Sequence, residues 1–147
     1  SPTGECQSLP IGKGEVTREG KDFAMAAIGH MVPVAEEACE ILRREGLEGT
    51  VLNMRFVKPL DRELLERVAT GIPVLATLEE NVLTGGFGSA CLEALSEMGL
   101  ADRLRIQFGL PDRFIEHGDP NILRRDCGLE PDQVARRMRD LLRVPRT

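Results

Sequence analysis

The sequence predicts an α/β domain of three layers, α/β/α, around a mostly parallel five-stranded sheet with one antiparallel edge strand. Two observations support this fold class. Short apolar runs alternate along the chain with segments whose apolar residues recur at helical spacing. Glycine, proline and acidic residues separate these segments. This alternation is typical of parallel sheets that are covered by helices on both faces.

The first two predicted strands form a β-hairpin. Residues 15–18 make a short strand that turns through Gly20 into a longer strand over residues 23–28. The longer run contains no polar residue, as expected of a strand that is covered on both faces. The remaining strands are predicted over residues 50–56, 72–78 and 104–108.

Five helices are predicted from the spacing of apolar residues. Asp61 is expected to cap the second of them, because its side chain can accept a hydrogen bond from a first-turn amide. The other helices are predicted over residues 32–45, 89–98, 120–127 and 132–142. We expect residues 1–8 to be an extended linker and residues 9–147 to form one domain.

Composition excludes several classes of function. The chain of 147 residues is 41% hydrophobic, 29% charged and only 3% aromatic, and it carries a formal net charge of -5. Low aromatic content and net negative charge argue against a nucleic-acid partner. No apolar run approaches the length of about 18 residues that a membrane helix needs, and no signal peptide is evident, so we expect a cytoplasmic chain without a membrane partner.

The four cysteines do not predict a metal site. They lie at positions 6, 39, 91 and 127, far from the close pairs that zinc sites use. Cys39 and Cys91 fall on the apolar faces of predicted helices and are expected to be buried thiols.

The most informative stretch joins the strand at residues 72–78 to the following helix. Glu79 and Glu80 end the apolar run, and Gly85, Gly86 and Gly88 precede the helix. Free amides at a helix start can bind a phosphate, but two carboxylates beside them would repel it. Close backbone packing or a subunit contact is the alternative that we prefer.

The two glutamates of this stretch, one arginine and two histidines are the candidate functional side chains. Adjacent residues of a strand point to opposite sides, so one of Glu79 and Glu80 is expected to bind loop amides and the other to face solvent or a partner. Arg55 is expected to pair with one of them. His30 and His117 could act as bases, although a structural role in loops is the simpler interpretation.

Four segments, taken together, resemble the carboxy-terminal domain of the 1-deoxy-D-xylulose-5-phosphate synthase family, which belongs to the transketolase superfamily. These segments are residues 9–14, 55–61, 79–89 and 109–118, and the likeness spans about residues 9 to 142. One departure is His30, where family members commonly carry a small or hydroxyl residue.

The resemblance implies that other domains of a longer enzyme carry out the chemistry. The family's enzymes are transferases that condense pyruvate with glyceraldehyde 3-phosphate and supply precursors of isoprenoids, thiamine and pyridoxal. Thiamine diphosphate and Mg²⁺ are held by upstream thiamine-binding domains, so the resemblance implies no catalytic, cofactor-binding or metal residue in this chain. It implies a homodimer and a chain that is inactive alone. Structural or interface positions are then expected at Arg55, Glu79, Glu80, Asn81, Gly85, Gly86 and Gly88.

Two other functions remain open from the sequence. The chain could be the corresponding domain of a 2-oxoacid dehydrogenase beta subunit, which shares the two glutamates, the asparagine and the glycines that follow. It could also be a free-standing regulatory or interaction domain that binds an anion at the Gly85 turn.

Overall fold

The computed structural model describes residues 10–82, 86–110 and 124–143. The strands are β1 (Glu15–Arg18), β2 (Phe23–Ala27), β3 (Gly49–Asn53), β4 (Leu75–Val82) and β5 (Leu104–Leu110). The helices are α1 (Met31–Arg43), α2 (Arg62–Gly71), α3 (Phe87–Glu97) and α4 (Pro131–Arg143), with a 3-10 turn at Ala101–Arg103. Residues 124–126 are also helical. The predicted linker at residues 1–8 and the start of the predicted helix at 120–127 lie outside the described residues.

The sheet confirms the predicted fold class. Its strand order is β1-β3-β2-β4-β5. Strands β3, β2, β4 and β5 run parallel to one another, whereas β1 pairs antiparallel with β3 at one edge. The completely apolar strand β2 occupies the middle of the sheet, and all its residues are buried. The unbroken apolar run therefore correctly identified a strand covered on both faces.

The predicted β-hairpin is wrong, because β3 lies between β1 and β2. The chain leaves β1 and crosses the beginning of β3 before it enters β2. At this crossing the amide of Gly20 donates to Thr50 Oγ1 at 2.9 Å, and the amide of Asp22 donates to the Glu48 carbonyl at 2.9 Å. A side chain at Gly20 would lie 2.5 Å from the Glu48 carbonyl carbon, so only glycine permits this close passage.

Two apolar cores cover the two faces of the sheet. Helices α1 and α4 pack on one face, where alternate residues of β2 point, and α2 and α3 pack on the other. The first face receives Phe23, Met25 and Ala27, and the second receives Ala24 and Ala26. Cys39 and Cys91 are buried, one in each core, as predicted.

The ends of the elements differ from the predictions at two functional positions. Strand β4 continues to Val82, so Glu79 and Glu80 belong to the strand and not to a loop. Strand β3 ends at Asn53 and does not run on to Phe56. The predicted cap of α2 is confirmed, since Asp61 Oδ1 accepts a hydrogen bond from the Leu64 amide at 3.1 Å.

Candidate functional site at the carboxyl edge of the sheet

The residues that sequence analysis singled out lie along one edge of the sheet. Parallel strands present their carboxyl ends at the same edge, where α/β domains commonly place their sites. His30 follows β2, Arg55 follows β3, and Glu79 and Glu80 lie near the end of β4. Gly86 is the residue that precedes α3. We call this set the carboxyl-edge site.

Glu79 binds the beginning of α3. Its side chain has no exposed area, and its Oε1 and Oε2 accept hydrogen bonds from the amides of Phe87 at 2.8 Å and Gly88 at 2.6 Å. The residue before the helix, Gly86, has no side chain that could serve as a cap. Glu79 therefore supplies the missing acceptors from the neighbouring strand, and its charge is favourably placed at the positive end of the helix dipole.

Three side-chain oxygens converge on Gly88. A methyl group at this position would lie 2.8 Å from Gln107 Oε1, 2.9 Å from Glu79 Oε2 and 3.0 Å from Thr77 Oγ1. Thr77 Oγ1 is buried and has no hydrogen-bond partner among the described residues. Glycine at position 88 thus allows the helix to approach the carboxylate closely enough for the two amide bonds.

Burial raises the pKa of Glu79 above the ordinary value of a glutamate. Removal from water disfavours the charged form, and the two amide hydrogen bonds from Gly88 and Phe87 only partly offset this effect.

Glu80 points the other way and lies at the surface. Its Oε2 is 3.5 Å from His30 Nδ1, and its Oε1 is 3.6 Å from Arg124 Nε. Arg124 also lies near Glu130, with Nε 3.8 Å from Oε1. Glu80 and His30 line an open depression of about 250 Å³, together with Ile28 and Gly29. The prediction that the two adjacent glutamates face opposite sides is confirmed.

Arg55 does not pair with Glu79 or Glu80, so that prediction is wrong. Its Nη2 instead lies 2.6 Å from Glu15 Oε1 on β1. The strand order explains the difference, because β2 separates β3 from β4 and holds Arg55 two strands away from both glutamates.

The backbone at Arg55 adopts a left-handed conformation that is unusual for a residue with a side chain. Its φ is 61°, and the amide of Phe56 donates to the Met54 carbonyl at 2.6 Å across it. These are the features of a γ-turn of the rare, strained kind. The ion pair with Glu15 holds the side chain of this turn at the carboxyl edge.

The remaining predicted positions fall partly inside and partly outside the described residues. Asn81 lies in β4, and Gly85 and His117 lie outside the described residues. Sequence analysis missed Thr77 and Gln107. The alternation of strand side chains was the available signal for Thr77, because residues 77 and 79 project to the same face of β4. Gln107 could not be found in this way, because its register against Thr77 is a property of the β4–β5 pair.

The described part of the chain offers no metal centre and no membrane-spanning helix. It contains no group of three or more His, Cys, Asp or Glu side chains that could hold a metal ion. None of its helices is long and apolar enough to cross a membrane. What the carboxyl-edge site does provide is a helix start fixed by an internal carboxylate, with a charged cluster on its outer side.

Sequence comparison finds relatives that are several times longer. A 1-deoxy-D-xylulose-5-phosphate synthase from Desulforudis audaxviator is 54% identical over 130 residues, which are 88% of this chain and 20% of the relative. A protein of the same name from Heliobacterium modesticaldum is 46% identical over 143 residues, covering 97% of this chain and 22% of the relative. The chain spans about a fifth of the length of the curated relatives it matches.

Solved structures share the fold. A structure described as a split gene transketolase, inactive beta4 tetramer, superposes with a TM-score of 0.84 at 35% identity, covering 99% of this chain and 46% of that one. A transketolase variant from Pichia stipitis gives a TM-score of 0.62 at 20% identity, covering 88% of this chain and 18% of that one. At that identity the likeness shows the fold alone. The family model described as "Transketolase, C-terminal domain" matches residues 12–134, so this chain belongs to the transketolase C-terminal domain family.

Proposed function

We propose that this chain is the C-terminal domain of a 1-deoxy-D-xylulose-5-phosphate synthase. The observation that carries the proposal is the 54% identity to a protein of that name over 88% of the chain. The whole enzyme is a cytoplasmic transferase that condenses pyruvate with glyceraldehyde 3-phosphate and supplies precursors of isoprenoids, thiamine and pyridoxal. No finding favours a 2-oxoacid dehydrogenase beta subunit in the same way.

Chemistry belongs to other parts of the proposed enzyme. Thiamine diphosphate, held with Mg²⁺ by upstream domains, would supply the carbanion chemistry of the condensation. We assign no step of the reaction to this chain, because the family resemblance implies that the cofactor-binding and catalytic groups lie in the upstream domains. The role left for this chain is to pack against the upstream domains and to support a homodimer.

The carboxyl-edge site divides into an inner and an outer part under this proposal. Glu79 and Gly88 join α3 to β4, and Gly86 leads into the helix without a capping side chain, so we assign these three residues a structural role. Glu80 and Arg55 lie on the outer side, where they can contact a neighbouring domain. Asn81, near the end of β4, and Gly85, which precedes α3 in the chain, are assigned to the same contact.

One geometric observation disfavours the alternative of a free-standing anion-binding domain. A phosphate at the start of α3 would need the first helical amides as donors. The amides of Phe87 and Gly88 are already bound by the Glu79 carboxylate, which would also repel an anion.

Two experiments test the proposal. The coding sequence upstream of Ser1 should encode two thiamine-binding domains, and a start codon immediately before Ser1 would contradict the assignment. The protein that includes these domains should turn over pyruvate and glyceraldehyde 3-phosphate with thiamine diphosphate and Mg²⁺. The 147-residue chain alone should show no turnover in the same assay.

The contact role is tested separately in the longer protein. We expect Glu80→Gln to weaken dimerisation or domain packing in sedimentation and limited proteolysis, because it removes the charge that faces His30 and Arg124. A matched control is Glu66→Gln, at an exposed position of α2. Equal behaviour of the two variants would argue against Glu80 as a contact residue.

A further inference from the structure

Glu79 is a buried carboxylate that has no cationic partner among the described residues. The described part of the chain places no Lys, Arg or His side chain in an ion pair with it, and within that part its carboxylate accepts hydrogen bonds from two backbone amides. An isolated charge in an apolar interior is costly, so such groups commonly gain a proton or a counter-ion. Among the described residues, the groups that face it are Thr77 on β4, Gln107 on β5, and the Phe87 and Gly88 amides and Cys91 thiol on α3.

The surroundings of the carboxylate suit both of its protonation states. When Glu79 is ionised, each oxygen accepts one amide hydrogen bond and the helix dipole offsets part of the charge. When Glu79 is protonated, its O–H needs an acceptor. Thr77 Oγ1 approaches the same side of Gly88 as Glu79 Oε2, is buried, and has no partner in the described residues.

We propose that Glu79 gains and loses a proton within the folded domain and acts as a proton-linked latch between β4 and α3. In the ionised state the carboxylate holds the amides of Phe87 and Gly88. A proton taken from solvent binds to Oε2, which then donates a hydrogen bond to Thr77 Oγ1, while Oε1 keeps the Phe87 amide. The latch lies within this chain and does not depend on the proposed function.

The neighbouring thiol takes no part in this exchange. Burial raises the pKa of Cys91, and the charge of Glu79 raises it further. Cys91 therefore stays protonated at any pH at which Glu79 titrates, and the proton exchanged at this place belongs to the carboxyl group alone.

The direction in which stability changes with pH follows from the burial of Glu79. Because burial raises the pKa of Glu79, the folded domain binds this proton more tightly than the unfolded chain does. Between the ordinary glutamate pKa and the raised one, the contribution of Glu79 to stability therefore falls as the pH rises. In the closed arrangement the ionised carboxylate keeps its two amides but is removed from water. Partial opening at the start of α3 hydrates the charge, so deprotonation favours opening and the bound proton favours the closed arrangement.

The test is a titration of the chain by NMR. The side-chain carboxyl carbon of Glu79 should titrate above the range of the exposed glutamates, and the amide signals of Phe87 and Gly88 should shift with the same midpoint. Glu66→Gln, at an exposed position of α2, should leave this midpoint unchanged. An ordinary midpoint for Glu79, or amide signals that follow a different midpoint, would overturn the latch.

Two variants at position 77 test the acceptor. Thr77→Val removes the hydroxyl at nearly constant volume and should lower the midpoint, because the protonated carboxyl loses the oxygen that accepts its O–H. Thr77→Ser keeps the hydroxyl and should keep the midpoint close to that of the unmodified chain. An unchanged or raised midpoint in Thr77→Val would show that the hydroxyl does not accept the proton of Glu79.

Discussion

The amide of Gly14 donates a hydrogen bond to Asp61 Oδ2 at 2.9 Å, across 47 residues of the chain. The second oxygen of the same carboxylate accepts the Leu64 amide at the start of α2. Asp61 is buried, so both amides depend on it for an acceptor. A single carboxylate thus caps a helix and fixes the segment through which the chain enters the sheet.

Replacement of Asp61 should therefore lower the free energy of unfolding by more than the loss of an ordinary helix cap does. We expect Asp61→Ala to lower the free energy of unfolding by about 2 kcal/mol, of which ~1 kcal/mol is the cap and the rest is the unpaired amide of Gly14. Urea unfolding followed by circular dichroism measures this loss. Asp61→Asn can still accept one amide and should lose about half as much; a loss below about 0.5 kcal/mol for alanine would contradict the double role.

Gly88 should not tolerate a side chain. A methyl group there would approach three oxygens at 2.8 to 3.0 Å, and one of them, Glu79 Oε2, is held by the Gly88 amide, so we expect Gly88→Ala to destabilise the domain by about 1–3 kcal/mol. The matched control is Gly71→Ala in α2, where nothing lies within 4 Å. Because alanine favours helix, that variant should unfold at equal or higher urea concentration. Similar effects at both positions would contradict the close approach at Gly88.

Variants of Arg55 should show how much its left-handed backbone conformation lowers the free energy of unfolding. Arg55→Ala loses the ion pair with Glu15 and keeps the left-handed φ of 61°, whereas Arg55→Gly loses the pair but relieves the strain. We expect the glycine variant to be more stable than the alanine variant by about 1 kcal/mol in urea unfolding. Glu15→Gln removes the ion pair but leaves the turn unchanged, so it measures the contribution of the ion pair to the free energy of unfolding. A more stable alanine variant would contradict the strained turn.

Glu45 should make stability depend on pH in the acid range. Its Oε1 accepts a hydrogen bond from Arg139 Nε at 2.6 Å and lies 3.0 Å from Arg143 Nη2, which joins the end of α1 to α4. The hydrogen bond from Arg139 lowers the pKa of Glu45. The stability that this carboxyl contributes is therefore present above its unfolded pKa and is lost as the pH falls through the folded one.

Thermal melts of Glu45→Gln should show this dependence. We expect a lower Tm than that of the unmodified chain at pH 7 and a difference that shrinks toward acid pH. Glu37→Gln, at an exposed position of α1, should not lower the Tm at either pH. A Tm difference for Glu45→Gln that is constant with pH would contradict the role of the charge. The contribution of Glu45 to stability thus falls toward acid pH. The contribution of Glu79, whose pKa is raised by burial, falls as the pH rises.

Local patterns were sufficient to predict much of the fold. The apolar run at residues 23–28 identified the central strand because a strand buried on both faces needs no polar residue. The position of Asp61 before an apolar helical stripe identified the cap of α2, since the acceptor and its amide lie within one turn. The opposite orientation of Glu79 and Glu80 followed from the two-residue period of a strand.

The candidate site was predicted only in part, because its contacts join distant segments. Arg55 contacts Glu15 because β3 lies beside β1 in the sheet. The sequence does not show this order, because only four residues join β1 to β2 and such a short connection is typical of a hairpin. The register of β4 with β5 brings Gln107 to Thr77, and neither residue carries a local signal of that contact.

The sequence by itself therefore determined the type of each main element, the fold class and the family resemblance, because these depend on periodicity and on short segments. Only the tertiary structure decided the neighbours of β1, the partner of Arg55 and the burial of Glu79 beneath the start of α3. The physical reason is that hydrogen-bond partners and desolvation depend on which segments pack together, and packing is a property of the whole chain.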